Sequence, residues 1–298
     1  MRALVALIAL AAPSAAQLFT LTRDQMIRLT AKNPYERFED GRPKVPDHLL
    51  EKMKGLSAEE IWSVLPGAGY PHQFEGGFQL LHPGKKLVGR VVTAQFMPMR
   101  PDVMEYIDEK MKAVNPLGGP HHQWAIDQLK PGDVIVVDLF GKIDGGTFVG
   151  DNLATAIYAL TKGAGMIIDG GIRDLEGIYP LDMAAYFRGA HPSAIRGVMM
   201  TGFNIPIQIG QATVMPGDVA FGDREGVYFV PPHLVEPVLE RAEETHVHDE
   251  WTKAKLMSGK YKSIEVYGSP RTPELKEEYA EYLRQRLGRA PGGSPKKQ

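Results

Sequence analysis

Cysteine is absent from this chain of 298 residues, and that absence removes three options at once. No disulfide can staple the fold, no thiolate can bind a metal, and no lipid can be attached at an N-terminal cysteine. Net charge is also scarce, with 34 Lys and Arg against 36 Asp and Glu and a formal balance of −2. A general nucleic-acid binder would carry a basic surplus, so that class is set aside. Lys296-Lys297 reads as a solvated tail.

Long apolar runs are rare. One, Ala3 to Ala12, follows Arg2 and leads through Pro13 into the small residues Ser14-Ala15-Ala16. It is shorter than the roughly 20 residues a membrane span needs. Its pattern is that of a signal peptide (1–16) cleaved after Ala16, the other reading being a buried N-terminal helix. The expectation is a periplasmic or secreted protein without stable membrane association, since no other segment is a membrane candidate. A dinucleotide fingerprint is missing as well. Asp138-Leu139-Phe140-Gly141 followed by Gly145-Gly146 is not Gly-x-Gly-x-x-Gly, which excludes a Rossmann reading and counts against an adenosylmethionine-dependent methyltransferase.

With 43% hydrophobic residues the chain can bury a sizeable core. Residues 17–55 read as an extension, with a helix around Asp24–Ala31 and a Pro-rich charged stretch from Asn33 to Pro46. Ser57 with Glu60 forms a capping-box pattern opening a helix through Leu65. Leu87 to Phe96 reads as a strand and Asp102 to Ala113 as a helix. Further strands are expected at Gly165 to Asp169, Ile205 to Val214 and Val227 to Val230. Helices are expected at Asp151 to Gly163, Leu234 to Thr245, around Glu250–Met257, and at Pro273–Leu287. A near-repeat stands out: Pro131-Gly132-Asp133-Val134 and Pro216-Gly217-Asp218-Val219 each feed a buried strand that ends in Asp, Asp138 and Asp223. The picture is one mixed α/β domain over 56–244, with helical arms at both ends and a disordered tail from Ala290.

The chemistry concentrates between Gly145 and Asp174. Gly150 precedes Asp151-Asn152-Leu153 at a helix start, where free N–H groups and the helix dipole can hold a carboxylate or phosphate. Arg173-Asp174 follows a buried strand and sets a fixed cation beside a hard oxygen ligand. Each feature alone reads first as structural, a plain helix start and a salt-bridged surface turn. His121-His122 and His246-x-His248 lack a third ligand at zinc spacing; lining the site mouth is a minor alternative for the first pair. Met97 and Met99 are read as core and loop packing.

Taken in order, four motifs resemble the RraA-like family of ribonuclease E regulators and 4-hydroxy-4-methyl-2-oxoglutarate aldolases. They are Gly150-Asp151-Asn152-Leu153-Ala154, Gly163 with Gly165, Ile168 to Asp174, and Pro216-Gly217-Asp218 through Val227. The resemblance covers roughly Ser57 to Pro232. It implies an α/β swivelling β/β/α domain with helical N- and C-terminal extensions, in a homotrimer or homohexamer with sites between subunits. It implies that Asp174 holds Mg²⁺ or Mn²⁺, that Arg173 contacts the keto oxygen of a 2-oxo acid, and that the Gly150–Leu153 backbone receives its carboxylate. An acid from a neighbouring subunit's C-terminal helix, Glu250 or Asp249, would complete the site. The implied activity is that of a class II pyruvate aldolase or oxaloacetate decarboxylase, cleaving a C–C bond through a pyruvate enolate. The alternative is a non-catalytic ring that regulates a partner. Asp151, where those aldolases carry glutamate, is a departure.

Overall fold

The computed structural model describes residues 20–288. The signal-peptide segment and the tail from Ala290 lie outside the described residues. Three helices come first, α1 (Arg23–Leu29), α2 (Asp47–Met53) and α3 (Ala58–Trp62). Next are β1 (Phe74–Glu75), β2 (Gln79–Leu80), β3 (Leu87–Pro98), α4 (Pro101–Val114) and α5 (His121–Asp127). The middle alternates, with β4 (Asp133–Thr147), α6 (Asp151–Thr161), β5 (Met166–Ile172), α7 (Leu175–Ile178) and β6 (Ala185–Ala190). Strands β7 (Val198–Phe203), β8 (Ile207–Ile209), β9 (Ala212–Val214), β10 (Val219–Gly222) and β11 (Val227–Val230) follow. The last helices are α8 (Val235–Met257), α9 (Ser263–Val266) and α10 (Pro273–Leu287).

One large mixed sheet runs β1-β11-β10-β3-β4-β5-β6-β2, with β7 also on β3. Its centre, β3 to β6, is parallel. Parallel strands covered on both faces read as continuous apolar runs, and Val134 to Val137 shows why. Val134 and Val136 pack toward the β8–β9 hairpin. Ile135 and Val137 pack toward α4, α5 and α6. The layers are therefore hairpin, sheet and helices. A further apolar cluster seats α2, α3 and α8 against β10 and β11, while Trp251, Val266 and Leu275 form a small core among the last three helices.

The two Pro-Gly-Asp turns flank β3. Gly132 and Gly217 sit at φ 79° and 87°, the left-handed region that suits glycine. Arg90 N–H donates to Gly132 O at 2.8 Å, and Gly217 N–H donates to Val91 O at 2.9 Å. Asp133 Oδ2 accepts from Lys130 N–H and Asp218 Oδ2 from Met215 N–H, both at 2.9 Å.

Several expectations need correction. The strand predicted over Ile205 to Val214 is a hairpin that reverses at Gly210-Gln211. The two C-terminal helices predicted from Leu234 to Met257 are one helix, α8. The strand expected to end at Asp138 continues to Thr147, after a register shift where Phe140 takes φ 44°. A helix without a counterpart among the expected elements, α5, begins at His121. The helix from Ser57 stops at Trp62 although its capping box is formed. Lys162, not Gly163, caps α6 in the left-handed conformation.

Candidate active site

The carboxyl ends of β4 and β5 build the site, the end of a parallel sheet where ligands commonly bind. Their backbones stay joined past the strands. Phe148 N–H donates to Gly171 O at 2.9 Å, and Arg173 N–H donates to Val149 O at 3.0 Å. This pins Val149-Gly150 beside Arg173.

Gly150 is the N-cap of α6 and brings no side-chain cap. The first intrahelical bond is Ala154 N–H to Gly150 O, at 3.0 Å. Asn152 N–H is taken by Asp151 Oδ1 at 2.8 Å. The Asp151 and Leu153 N–H groups are left for a ligand at the positive end of the helix. Gly150 is required by close approach. A methyl group there would stand 3.0 Å from Arg173 Nε and collide with Asp174 Oδ2. Across the same junction, a methyl group on Gly177 would come within 2.9 Å of Asp151 Oδ2.

Arg173 and Asp174 make a single contact, Nε to Oδ2 at 3.3 Å, with both side chains more than a third exposed. Asp174 holds φ 57° and ψ 44° at the start of α7, without capping it. A non-glycine residue in that region is uncommon and marks a position fixed by its surroundings.

A cavity of about 420 Å³ opens here. Its walls include Gly150, Asp151, Asn152, Leu153 and Arg173, with His122 and Gln123 from α5. Asp174 is not part of this wall; its carboxylate stands against Gly150, which is. His122 is buried and edge-on to Phe148, and burial pushes its imidazole down to about 4, so it is neutral at pH 7. Of the histidine pair, His122 belongs to the wall of this cavity. His121 turns to Asp108, at 3.1 Å. A larger cavity, about 640 Å³, lies between α1 and the β8–β9 hairpin and is walled by none of the predicted site residues.

Other predicted residues are placed elsewhere within the chain. Glu250 pairs with Arg286 at 2.5 Å and Asp249 with Lys253 at 2.8 Å, both on exposed α8. Neither walls the cavity. His246 meets Glu60 at 3.0 Å while His248 Nδ1 meets Tyr279 Oη at 2.8 Å, so this pair serves two separate contacts. Met97 and Met99, expected to pack, are exposed at the end of β3. Asp169, inside the Ile168–Asp174 motif, is committed to Arg188 at 2.5 Å, and Glu75 takes the same guanidinium at 2.8 Å. Gln123, Ala194 and Ile195 belong to the cavity wall without any signal in their local sequence; only the tertiary fold brings them there.

This arrangement defines a class: a mixed α/β scaffold with an anion-ready helix start beside a cation–carboxylate pair. The chain belongs to the RraA-like family, described as Aldolase/RraA, with a match over residues 64–229, more than half its length. A protein of Halalkalibacterium halodurans, provisionally named a 4-hydroxy-4-methyl-2-oxoglutarate aldolase, is 29% identical over 143 residues, 48% of this chain and 67% of that one. Protein DlpA of Legionella pneumophila is 28% identical over 71% of this chain, which spans only 32% of DlpA. Among solved structures, Streptomyces coelicolor RraAS2, described as an unusual member of the RNase ES inhibitor RraA family, aligns at TM-score 0.58 and 24% identity, over 75% of this chain and 100% of that one. An uncharacterized Pseudomonas syringae protein aligns at TM-score 0.62 and 22% identity, over 76% and 94%. Both share the fold.

Proposed function

We propose that this protein is a divalent-metal-dependent lyase that cleaves a C–C bond of a 2-oxo acid by way of a pyruvate enolate. The observation that carries this reading is the packing of Arg173 and Asp174 against Gly150, which puts a cation, a carboxylate and an open helix start within one junction. The family, with its members named for aldolase activity, supports the same reading.

The donor set fits a hard cation. Asp174 and Asp151 offer carboxylate oxygens, and no cluster of three His, Cys, Asp or Glu forms among the described residues. Mg²⁺ or Mn²⁺ suits such a site because both prefer oxygen and keep several waters. Bound there, the ion would supply Lewis-acid stabilisation of the charge that develops on the enolate. The Asp151 and Leu153 N–H groups receive the substrate carboxylate. Arg173 donates to the keto oxygen, where negative charge grows as the bond breaks, and so binds the transition state more tightly than the ground state. His122, neutral in the wall, and Asp151 are the cavity's own groups able to accept the proton of a substrate hydroxyl.

We extend the proposal to assembly and location. The ring is a homotrimer or homohexamer, and Glu250 or Asp249 of one copy completes the site of the next. The Arg2–Ala16 segment directs export. A mature protein that begins at Met1 on N-terminal sequencing overturns the export step.

The activity test uses the purified full chain with Mg²⁺ or Mn²⁺. Pyruvate should appear from 4-hydroxy-4-methyl-2-oxoglutarate or oxaloacetate, and Asp174→Ala should abolish it with the oligomer intact. Arg173→Ala should lower kcat by about 10²–10³, the usual loss for one donor to a developing oxyanion. Turnover without metal, or an active Asp174→Ala variant, rejects the metal-dependent mechanism, and no turnover of either substrate with metal present favours the non-catalytic regulatory ring.

A further inference from the structure

We infer that a second chamber beside the site receives the far substituent of the substrate and selects an apolar, uncharged one. This rests on the lyase reading, and names the substrate class that such a site takes: 4-hydroxy-2-oxo acids with a bulky apolar group on C4.

The chamber encloses about 500 Å³ and shares Pro120, His122 and Ile195 with the 420 Å³ cavity, so the two adjoin along that wall. Its remaining lining is mostly apolar: Phe96, Met104, Val198, Met199 and Met200. One cationic side chain, Arg196, and one imidazole, His121, which burial holds below its usual range, reach it, and each has a partner. His121 Nε2 lies 3.1 Å from Asp108 Oδ1, and Arg196 Nη2 lies 2.9 Å from Asp144 Oδ1. Asp108 is itself part of the lining. His122, nine-tenths buried on the shared wall, stands edge-on to Phe148 with ring centroids 5.9 Å apart.

A second carboxylate entering this chamber would give up water to an apolar wall, meet the Asp108 carboxylate, and find Arg196 paired with Asp144. An unpaired charge moved out of water is strongly disfavoured, whereas an alkyl or aryl group gains from the same desolvation. The chemistry balances on that substrate. The C3–C4 bond breaks, and the hydroxyl proton leaves as C4–O becomes a carbonyl. The bonding electron pair passes to C3 as the pyruvate enolate, which takes up a proton to give pyruvate. The other product is an aldehyde or ketone carrying the apolar group.

The test separates this inference from the lyase reading by using ligands that cannot be cleaved. Calorimetry on the full-length protein with Mg²⁺ compares 2-oxo-4-phenylbutanoate with 2-oxoglutarate, neither of which has a 4-hydroxyl. The phenyl compound should bind at least about tenfold more tightly. In turnover, 4-hydroxy-2-oxo-4-phenylbutanoate should exceed 4-hydroxy-4-methyl-2-oxoglutarate in kcat/KM by a similar factor. Met104→Trp, which fills the chamber from the partly exposed face of α4, should cut the binding preference about tenfold. Equal binding, a preference for 2-oxoglutarate, binding of neither, or an unchanged preference in a folded Met104→Trp protein overturns the inference. Preferential binding of the phenyl compound with no cleavage of any hydroxylated substrate supports the chamber and rejects the lyase.

Discussion

Two arginine–aspartate pairs stand at opposite ends of the parallel strands, and they are built differently. Arg42 and Asp133, 91 positions apart, meet at the amino end of β4 through two parallel bonds of 2.8 and 3.0 Å. Both side chains are almost wholly buried, the guanidinium lies 4.3 Å from the Phe38 ring centroid, and Asp133 also accepts the Lys130 N–H. Arg173 and Asp174 are neighbours in the chain, at the carboxyl end of β5, with one 3.3 Å contact and solvent on both. The first pair is turned inward, with Arg42 Nη1 also donating to Val91 O at 3.3 Å and Arg42 Nε buried without a partner among the described residues. The second is held by backbone and by Gly150, and it keeps donors and acceptors for a ligand. An ion pair reports stability or recognition according to whether its partners are buried or open to solvent.

The largest effect that can break this contrast is on the buried pair. Arg42→Ala leaves Asp133 charged and buried, and should destabilise the fold by about 3–5 kcal/mol. Urea unfolding of the full chain at pH 7 measures it. A loss below about 1 kcal/mol would place this pair in the same class as an exposed one.

Asp218 is the natural control, the same Pro-Gly-Asp turn without an arginine. It is fully buried, and desolvation raises its carboxyl to about 7 against the Met215 N–H that lowers it. Because the folded value exceeds the unfolded one, the native state holds a proton between about pH 4 and 7 that the unfolded chain has released. Stability therefore falls as pH rises through that window, and the full cost is present above pH 7. Asp218→Asn keeps an acceptor for Met215 N–H and removes the charge. The variant should be more stable than the parent at pH 8, by up to about 4 kcal/mol, and equal to it near pH 4. Parallel pH profiles for the two proteins would show that Asp218 is not desolvated as its turn implies.

The sequence shows both aspartates but not their difference. The Pro-Gly turns, the Ser57–Glu60 box and the α10 bounds are local, and local chemistry decides them. Arg42 lies in a charged, Pro-rich stretch that reads as surface, and only the fold carries it onto Asp133. The polar run Glu243-Glu244-Thr245-His246 hides the period of α8, so its sequence reads as two helices. In the fold, Val247 and Trp251 are buried and the Glu60 contact holds His246. Strands β6 and β7 are fixed by pairing, to β5 and β3. The site was legible where it is consecutive, Gly150 to Leu153 and Arg173-Asp174. It was illegible where it is assembled, at the α5 wall and the chamber behind it.

A smaller effect tests what holds the exposed pair. Gly150→Ala keeps an allowed backbone, since Gly150 sits at φ −109° and ψ −165°. Its methyl group would displace the Asp174 carboxylate and crowd Arg173 Nε. Displacing a positioned group by a fraction of an ångström to an ångström can lower kcat/KM by about 10²-fold, with a stability change under about 1 kcal/mol at this N-cap. Steady-state kinetics beside a thermal melt reads both. Normal activity in the alanine variant would show that the pair needs no glycine floor.

The smallest expected effect is the one that completes the contrast. Arg173→Ala removes a partner from an exposed carboxylate, which water can solvate in its place. Exposed pairs are worth about 0–1 kcal/mol, so the urea midpoint should barely move, although the catalytic loss proposed above is large. Set beside Arg42→Ala, the two substitutions should exchange their consequences, one felt in the melt and the other in turnover. A stability loss at Arg173 comparable to that at Arg42 would mean that the carboxyl end of β5 is held together by its charges. In that case the open donors around Gly150 would be a by-product of packing, and the case for a ligand there would weaken with them.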